Sequence, residues 1–490
     1  MAVAKVAHPS VEERIARGRQ ARELIPPTEH RSWEPAADRR DPLALLAEQD
    51  NDREPDLVPV RHGRMLVSPF TFYRGGAKIM AADLAETPTA GLDVQLCGDA
   101  HLSNFGVFAS PERLLLFDLN DFDETLPGPF EYDVKRMAAS FVIAGRNNGF
   151  AERDARAAAL SAVTAYRDSM AGFSQMRTMD IWYARLDEKS LMRAVRGRIS
   201  EEVDLAKGAK GKQAKKAKER AKDAKRAGRT AVKTAAKART RDSLQALSKL
   251  GERVDGRYQI VSQPPIVVPA RELAGMYGMS AEQAQQLVHD QFRAYRATLQ
   301  DDRRKLLERF QIIDIARKVV GVGSVGTRAF IVLLQGRDAD DPLFLQVKEA
   351  TSSVLEGHLR KSRFRHHGER VVQGQRMMQA ASDIFLGWTK GAENRHFYWR
   401  QLRDMKGSPA IESMTPTGMT FYGGMCGWTL ARAHARSGDP VALATYLGDD
   451  SDFDDAMVDF AVRYADQNDR DYERFAAAVR SGSTEAVVGV

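Results

Sequence analysis

Two carboxylates and one amide side chain stand in a pattern that suits metal-assisted chemistry on phosphate. Asp99 and Asn104 lie in the polar segment GDAHLSN, and Asp121 follows Asn104 by 17 residues in NDFDE. Phosphoryl transfer needs one carboxylate beside the attacking hydroxyl, and carboxylate and amide oxygens that hold Mg²⁺ on the phosphates. We therefore predict Asp99 as the base-like residue and Asn104 and Asp121 as metal ligands. Asp123 is expected to be a third ligand or a neighbour of the metal shell.

These polar residues have two other interpretations. Asp and Asn are common in turns, so a plain hairpin would contain them without any catalytic role. Asp118, Asn120 and Phe122 alternate like the first ligands of a calcium loop, but the side chain of Phe122 cannot bind a cation. Asp118 lies inside a predicted strand, where we expect it to bond a backbone amide or an arginine.

A glycine-rich segment far along the chain offers a second candidate site. Its sequence, GVGSVG over 321–326, is typical of phosphate-binding flaps, dinucleotide-binding turns and plain glycine hairpins. A dinucleotide-binding turn opens a helix, whereas the TRAFIVLLQG that follows is typical of a strand. We favour a phosphate flap. The residues predicted to contact nucleotide phosphates are Gly321, Gly323, Ser324 and Gly326.

A lysine follows the glycine-rich segment on a predicted strand. Lys348 lies 22 residues beyond Gly326 in LFLQVKEA, which resembles the strand whose lysine binds the α- and β-phosphates of ATP in kinases. That lysine pairs with a glutamate on the next helix. We predict Glu369 as the partner, with Glu356 as the nearer alternative. An exposed strand lysine without a role is the alternative for Lys348.

Hydrophobic spacing indicates the elements that must position these residues. Short strands are predicted over 94–96 and 114–119, and each leads into one of the polar turns. Helices are predicted over 69–86, 131–147, 151–172, 280–311, 351–380, 420–436 and 452–480. Residues 312–349 alternate β-branched strands with glycine turns, and HFYWRQLRD predicts a strand leading into a hinge whose backbone would read adenine. Residues 1–60 show little periodicity and predict a surface-hugging or partly disordered arm.

Composition excludes several classes of protein. Two cysteines in 490 residues cannot build a disulfide scaffold or a four-cysteine zinc site. No apolar run approaches the ~18 residues of a membrane span, and the amino-terminal residues lack the apolar core of a signal peptide. We therefore expect a cytoplasmic protein without membrane insertion.

The net charge of +7 hides one strongly basic segment. Residues 207–241 hold 15 Lys and Arg against two acids, a net of +13, which leaves −6 for the rest of the chain. Its Ala and Lys content predicts a helix that projects into solvent or lies on something anionic. The alternatives are a solvated helix and a weak contact with nucleic acid or another polyanion through backbone charge.

The polar motifs together resemble a known group of enzymes. Gly98-Asp99-Ala100-His101-Leu102-Ser103-Asn104, then Asp121-Phe122-Asp123-Glu124, then Gly128-Pro129 and Tyr132-Asp133 resemble the aminoglycoside phosphotransferase and choline/homoserine-kinase-like branch of the protein-kinase-like fold. The resemblance implies Asp99 as the catalytic aspartate, Asn104 and Asp121 as metal ligands, and Asp133 as a buried helix residue that braces the catalytic loop. Cys97 departs from the family, which usually has His there.

The order of the motifs is reversed relative to ordinary kinases, in which the glycine loop comes first. A circular permutation explains this order, so we predict an α+β, two-lobed protein-kinase-like fold with permuted lobes and a long basic helical insertion. The predicted organisation is an N-terminal arm over 1–60, a catalytic C-lobe segment over 61–205, the basic insertion over 206–250, a linker strand with helices over 251–311, a β-rich N-lobe with glycine loop, lysine strand and hinge over 312–408, and helices over 409–490 that dock on the C-lobe.

A second resemblance covers about residues 40–480. FYRG, GDAHLSNFG, NDFDE, RVVQGQRMMQAASDIFLGW, RQLRDMKGS and GWTLARAHARSGD resemble the bacterial domain of unknown function 2252, which implies a kinase-like fold and no defined substrate. Several cationic residues were considered for an anion or substrate pocket or for ordinary salt bridges: Arg61, His62, Arg64, Arg74, Arg400 and Arg403.

The expected function is an ATP- and Mg²⁺-dependent phosphotransferase that acts on a hydroxyl, most simply of a small molecule. Its ligands would be a nucleotide and an unidentified hydroxyl-bearing acceptor. The alternatives are a nucleotide-binding pseudokinase, an enzyme that transfers AMP, and a nucleic-acid-associated protein that binds through 207–241.

Overall fold

Helices form most of the chain in the computed structural model, which describes residues 7–254, 257–273, 280–319, 321–402 and 404–489. Together with four antiparallel sheets they make an α+β protein. The helices are α1 Val11–Leu24, α2 Pro42–Asp50, α3 Val58–Met65, α4 Pro69–Gly75, α5 Ala77–Ala85, α6 Phe130–Asn147, α7 Glu152–Ser174, α8 Thr178–Tyr183, α9 Glu188–Gly208, α10 Gly211–Arg239, α11 Ser243–Leu250, α12 Ala270–Leu273, α13 Ala281–Arg296, α14 Asp301–Leu307, α15 His367–Met378, α16 Pro416–Ala435, α17 Pro440–Leu447 and α18 Asp452–Arg480.

The strands are β1 Asp93–Leu96, β2 Phe105–Ala109, β3 Leu115–Leu119, β4 Leu126–Pro129, β5 Leu186–Asp187, β6 Gly251–Val254, β7 Arg257–Ile260, β8 Val267–Pro269, β9 Gln311–Lys318, β10 Ala329–Gln335, β11 Pro342–Glu349, β12 Gly387–Lys390 and β13 His396–Gln401. The predicted strands over 94–96 and 114–119 are confirmed as β1 and β3, and those over 312–349 as β9 to β11. The boundaries predicted at 60 and 205 fall inside helices α3 and α9.

The arm, which we define as residues 7–57, is ordered and packed against the helices. Ser10 begins α1 with a capping box, and the ring of Trp33 lies 5.0 Å from that of Tyr464 on α18. Arg39 forms ion pairs with Asp83 and Asp471. The expectation of partial disorder is therefore wrong for these residues. Charge pairs, Trp33 and the buried leucines Leu45, Leu46 and Leu57 hold the arm, and these few apolar residues are too far apart in the sequence to give a helical or strand period.

The central helix α6 is buried along almost its whole length among α7, α16 and α18. Small residues allow α16 to approach α7 closely, since a Cβ on Gly427 would lie only 2.0 Å from the Ala162 carbonyl oxygen. This helical packing confirms the helices predicted over 131–147, 151–172, 420–436 and 452–480. It forms the largest apolar core of the protein, and β1 to β4 pack against it.

A six-stranded antiparallel sheet of order β12-β13-β11-β10-β9-β8 forms the second part of the fold. Its apolar faces belong to two further hydrophobic clusters. The helix predicted over 351–380 is present only as α15, with a short 3₁₀ turn at Val354–Gly357 before it. Its start is set by His366, whose Nδ1 accepts the Glu369 amide at 3.2 Å. The basic and polar residues over 358–366 offer no apolar stripe that would extend the helix.

The basic segment is helical, as predicted, but it folds back on the protein as an antiparallel pair, α9 and α10. Gly228 lies against Ile199 and Val195, and Ala235 and Ala238 are buried. The alanines of α10 therefore pack inward while its lysines and arginines face outward. Within the described residues, no helix combines the length and apolar character needed to cross a membrane.

Candidate active site

The loop that carries Asp99 is held from below by helix α6. The carboxylate of Asp133 accepts the backbone N–H groups of Cys97 at 2.8 Å and Gly98 at 3.0 Å, and His434 Nε2 lies 3.2 Å from the same carboxylate. Gly98 has a φ of +83° and a Cβ there would lie 2.3 Å from the Glu124 carbonyl oxygen, so only glycine fits. The brace implied for Asp133 is present in the structure.

Asp99 and Asn104 are fixed by different partners. The side-chain amide nitrogen of Asn104 donates to the backbone carbonyl oxygen of Asp99 at 2.8 Å. The side-chain oxygen of Asn104 takes no part in that bond. The Asp99 carboxylate accepts from Arg136 Nε at 2.8 Å, and His101 Nε2 lies 3.7 Å away. Burial raises the pKa of Asp99, although Arg136 and Arg74 oppose that effect.

The β2–β3 hairpin brings the second polar turn beside the first. Phe105 pairs with Leu119, and the Asn120 amide donates to the Asn104 carbonyl oxygen at 2.8 Å. The residues that follow β3 therefore start next to Asn104. Asp121 is the residue directly after Asn120.

Lys348 of β11 reaches the second turn from the six-stranded sheet. Its Nζ donates to Asp123 Oδ2 at 2.5 Å and lies 4.0 Å from Asp121 Oδ1. Tyr398 donates its hydroxyl to Asp123 Oδ1 at 2.6 Å. Burial raises the pKa of Asp121, and the neighbouring Asp123 adds to that effect. Against burial, Lys348 and Tyr398 hold the pKa of Asp123 below its usual value.

The glycine-rich segment 321–326 lies between β9 and β10 and is held by the arm and by α3. Arg53 donates to the Val325 carbonyl oxygen, the Glu54 amide donates to that of Gly326 at 2.8 Å, and Arg64 donates to that of Gly321 at 2.6 Å. Arg53 and Glu54 are buried. The segment is thus a fixed wall and not a free flap.

One cavity of about 430 Å³ lies between these parts. The predicted residues that line it are Asp99, Asn104, Asp121, Asp123, Gly321, Gly323 and Ser324. Buried Lys348 stands behind Asp123, and Gly326 is bonded to the arm instead of facing the cavity. Ligand pockets commonly range from about 300 to 1,000 Å³, so the space suits a nucleotide or a similar small molecule.

The comparisons with known proteins identify the family. Residues 53–231 and 204–478 match the family model described as "Uncharacterized protein conserved in bacteria (DUF2252)". The chain belongs to this family. No curated protein and no solved structure matches the chain. The family model covers the residues that line the cavity from Arg53 onward, and its description names no activity.

The prediction that Glu369 pairs with Lys348 is wrong in this DUF2252 protein. The Lys348 ammonium is bonded by Asp123, and Glu369 stands in the first turn of α15. The alternative, Glu356, lies 3.9 Å from Arg370. Arg370 is the residue of α15 that reaches the site, where it donates to the Asp123 carbonyl oxygen at 2.8 Å. The first turn of α15 therefore sends an arginine, not a glutamate, to the second polar turn.

The predicted hinge is already bonded to the helical part. Val107 of β2 exchanges two backbone hydrogen bonds with Gly407, of 2.7 and 2.8 Å, and the Ala109 amide donates to the Asp404 carbonyl oxygen at 3.0 Å. The Met405 amide donates to the Arg241 carbonyl oxygen. Both backbone groups of Gly407 and the carbonyl oxygen of Asp404 are therefore occupied by β2.

The cationic residues that were predicted to form an anion pocket or ordinary salt bridges do not form one cluster in the structure. Arg61 and His62 bond Asp50, Arg400 bonds Gln346, and Arg74 lines the cavity. Residue 403, which was part of that set, lies outside the described residues. Sequence reasoning also missed the site partners Arg136, Tyr398 and Arg370, because none of them belongs to a local motif.

Proposed function

We propose that this protein is an ATP- and Mg²⁺-dependent phosphotransferase of protein-kinase-like fold with permuted lobes, acting on a hydroxyl of a small molecule. One observation carries the proposal. The bond from Lys348 Nζ to Asp123 Oδ2 joins residues 225 positions apart. It brings the lysine strand to the turn that carries Asp121, so that two motifs suited to phosphoryl transfer adjoin one cavity.

The order of elements within each half supports the kinase-like interpretation. The glycine segment joins β9 to β10, Lys348 lies on the next strand, and α15 follows it. Kinases place a glycine loop, a lysine strand and a helix in the same succession. The loop with Asp99 and Asn104 likewise precedes a hairpin that ends at Asp121. Only the order of the two halves along the chain is reversed.

The residues present fit a magnesium–nucleotide complex. Asp121 offers a carboxylate, and the amide oxygen of Asn104 is left free by its bond to Asp99. Bound Mg²⁺ would neutralise charge on the phosphates. Asp123 is engaged by Lys348 and Tyr398, so of the three predicted ligands it is the least available.

Asp99 would position the acceptor hydroxyl. Its carboxylate lines the cavity, and Arg136 holds one oxygen at 2.8 Å, which fixes the orientation of the other. The raised pKa of Asp99, caused by burial, favours acceptance of a proton. The size of the cavity supports a small acceptor over a folded protein.

Transfer of AMP is a second candidate, favoured by the bonded hinge. Because Gly407 and the Asp404 carbonyl oxygen already bond β2, we propose that adenine does not pair with this segment as it does with the hinge of kinases. The base would then lie elsewhere in the cavity and the phosphates would run in a different direction. The same metal ligands would serve either reaction.

The test is calorimetric binding of Mg²⁺-ATP to the wild type, Lys348→Met and Asp121→Asn, with Lys390→Met as control. Lys390 is an exposed lysine on neighbouring β12. We expect metal-dependent binding that both site variants lose and the control keeps. Chromatography of ADP and AMP during an acceptor screen then separates the two reactions. Binding that survives in both site variants would contradict the proposal, and wild-type binding without turnover would indicate a pseudokinase.

A further inference from the structure

The cations around the cavity are almost all engaged by protein groups. Lys348 is bonded by Asp123 and Arg136 by Asp99. Lys78 lies 2.9 Å from Glu48, and Arg53 bonds the glycine segment and lies 3.4 Å from Asp50. These side chains have partners before any ligand arrives.

Arg74 differs from them. It lies in the last turn of α4 and lines the cavity, and a Cβ on Gly323 would lie 3.1 Å from its carbonyl oxygen. Among the described residues its guanidinium forms no ion pair and no hydrogen bond, and its Nε is buried without a partner. The guanidinium carbon of Arg74 lies over the ring of Phe70, 6.0 Å from the ring centroid.

An unpaired guanidinium in a partly buried site is unfavourable unless a ligand compensates it. Asp99, Glu412 and Asp121 act on Arg74 through space, but none of them lies within ion-pair distance. The planar fork of arginine matches the two oxygens of a phosphate or a carboxylate. Arg74 therefore has the chemistry of an anion receptor that faces the candidate metal ligands.

We propose that Arg74 binds an anionic group, a phosphate or carboxylate, of a ligand in this cavity. The proposal rests on the proposed function. Two sources share this chemistry: the terminal phosphate of the nucleotide, or an anionic group on the acceptor, which would then be a phosphorylated or carboxylated alcohol.

The test uses full-length protein and three probes: Mg²⁺-ATP, Mg²⁺-ADP and inorganic phosphate with Mg²⁺-ADP present. Arg74→Gln and Arg74→Lys are compared with Arg177→Gln, a largely exposed arginine. A loss of about tenfold or more for ATP but not ADP in Arg74→Gln assigns the nucleotide phosphate. A similar loss for inorganic phosphate alone assigns the acceptor group. Arg74→Lys should be intermediate, because it keeps the charge without the fork.

Unchanged affinity for all three probes in a folded Arg74→Gln variant would overturn the proposal. Phosphate is also measured without nucleotide, so that the outcome does not depend on the proposed reaction. If the wild type binds phosphate but no nucleotide, and Arg74→Gln loses phosphate, the receptor stands and the phosphotransferase proposal fails. Circular dichroism and thermal melting establish that each variant is folded.

A second, independent observation concerns α10. The helix carries 12 Lys and Arg and two acids. Among its described side chains only Arg239 forms an ion pair, with Glu188 of α9. Like charges three or four residues apart destabilise a helix. The protein therefore keeps a concentrated positive surface that its own acids do not neutralise.

The positive surface borders a groove between α9 and α10. The groove has a volume of about 380 Å³, and Val203, Ala206 and Ala221 are its apolar residues. Its cationic residues on α10 are Lys218, Lys222, Lys225 and Arg229. They recur every three or four residues and form one stripe about 16 Å long, at ~1.5 Å per residue. Such a stripe suits a row of phosphates.

We infer that this stripe binds the phosphate backbone of a nucleic acid. Helices α9 and α10 contain no aromatic residue, so they have neither stacking platforms for bases nor aromatic anchors for a membrane. Binding should therefore be independent of base sequence and strongly dependent on salt.

The test is fluorescence anisotropy of a labelled 20-base-pair DNA between 50 and 200 mM salt. The variant changes Lys218, Lys222, Lys225 and Arg229 to Gln, and the matched control changes Arg177, Arg293, Lys305 and Arg337 to Gln. The stripe variant should lose about tenfold or more in affinity and about two to four units of the log–log salt slope. Equal affinity in both variants, or binding only to phosphatidylserine vesicles, would overturn the inference.

Discussion

The two walls of the candidate site are held in opposite ways. The loop around Asp99 is fixed from within the helical core, where the Asp133 carboxylate accepts two of its amides. The glycine segment 321–326 is fixed from outside, through Arg53 and Glu54 of the arm and through Arg64 of α3. One wall belongs to the core and the other depends on a surface extension.

This difference shows that a motif can be recognised in a sequence more easily than the distant residues that hold it in place. Asp133 lies 35 residues from the Gly98 amide that it accepts, so the loop and its brace form one recognisable stretch. Arg53 of the arm lies 272 residues from Val325. The arm is part of the site although its sequence has the composition of a tail.

The largest expected effect comes from removing the core brace. Asp133→Ala leaves the buried amide of Cys97 and the half-buried amide of Gly98 without an acceptor, so the free energy of unfolding should fall by about 4 kcal/mol. Urea unfolding measures the change, with Asp204→Ala on exposed α9 as the control, expected within about 0.5 kcal/mol. A loss below about 1 kcal/mol for Asp133→Ala would show that the loop is held by something else.

The arm itself can be loosened by acid through one histidine. Buried His30 bonds the Tyr446 hydroxyl at 2.7 Å, and burial, with Lys135 adding to it, lowers the pKa of His30 to about 2. Below pH 6.5, the ordinary pKa of histidine, His30 is protonated in the unfolded chain but not in the folded protein. The free energy of unfolding therefore falls as the pH falls.

Between pH 7 and pH 5 this site should account for about 2 kcal/mol of lost stability. In urea titrations over the same pH range, the free energy of unfolding of His30→Gln should therefore fall by about 2 kcal/mol less than that of the wild type. His8→Gln, at an exposed position of the same arm, should follow the wild-type profile. Parallel profiles for His30→Gln and the wild type would refute the assignment.

A smaller effect is expected when the arm releases only the glycine segment. Arg53→Met removes the bond to the Val325 carbonyl oxygen, so hydrogen exchange of the amides over 323–326 should accelerate about tenfold, or ~1.4 kcal/mol. Amides over 98–104 should not change. Arg40→Met removes an exposed arm pair with Glu48 and should leave both segments unaltered.

The smallest effect is expected for the two thiols. Cys97 and Cys426 are fully buried, and burial raises the pKa of both. Neither should react with iodoacetamide at pH 8 in the native protein, and both should react in denaturant, as mass spectrometry would record. Rapid native labelling of Cys97 would mean that the catalytic loop opens. Asp133→Ala should expose Cys97 selectively.

Much of the helical part could be predicted because its elements carry uninterrupted apolar periods. The helix predicted over 131–147 is observed as Phe130–Asn147, and the one over 151–172 as Glu152–Ser174. Asp99, Asn104 and Asp121 were also identifiable, since each lies in a polar turn directly beside a short strand. Local patterns suffice where an element and the residue that it positions are neighbours in the chain.

The errors concern residues that only tertiary contacts define. Glu369 was predicted as the partner of Lys348 from its place in a helical pattern, yet α15 begins where His366 caps it and turns Arg370 toward the site. The bonded hinge depends on pairing with Val107, some 300 residues earlier. No spacing rule in a single sequence contains that pairing.

Because Lys348 and Asp123 lie far apart in the chain, they leave the ribosome at different times. Ribosomes add about 5–20 residues per second, so Asp123 leaves the ribosome roughly 10–45 seconds before its lysine. His434, which contacts Asp133, comes later still. During that interval the carboxylates of the nascent chain have no cation from the sheet. A chaperone or a bound metal ion that occupied them would act on this protein before its candidate active site exists.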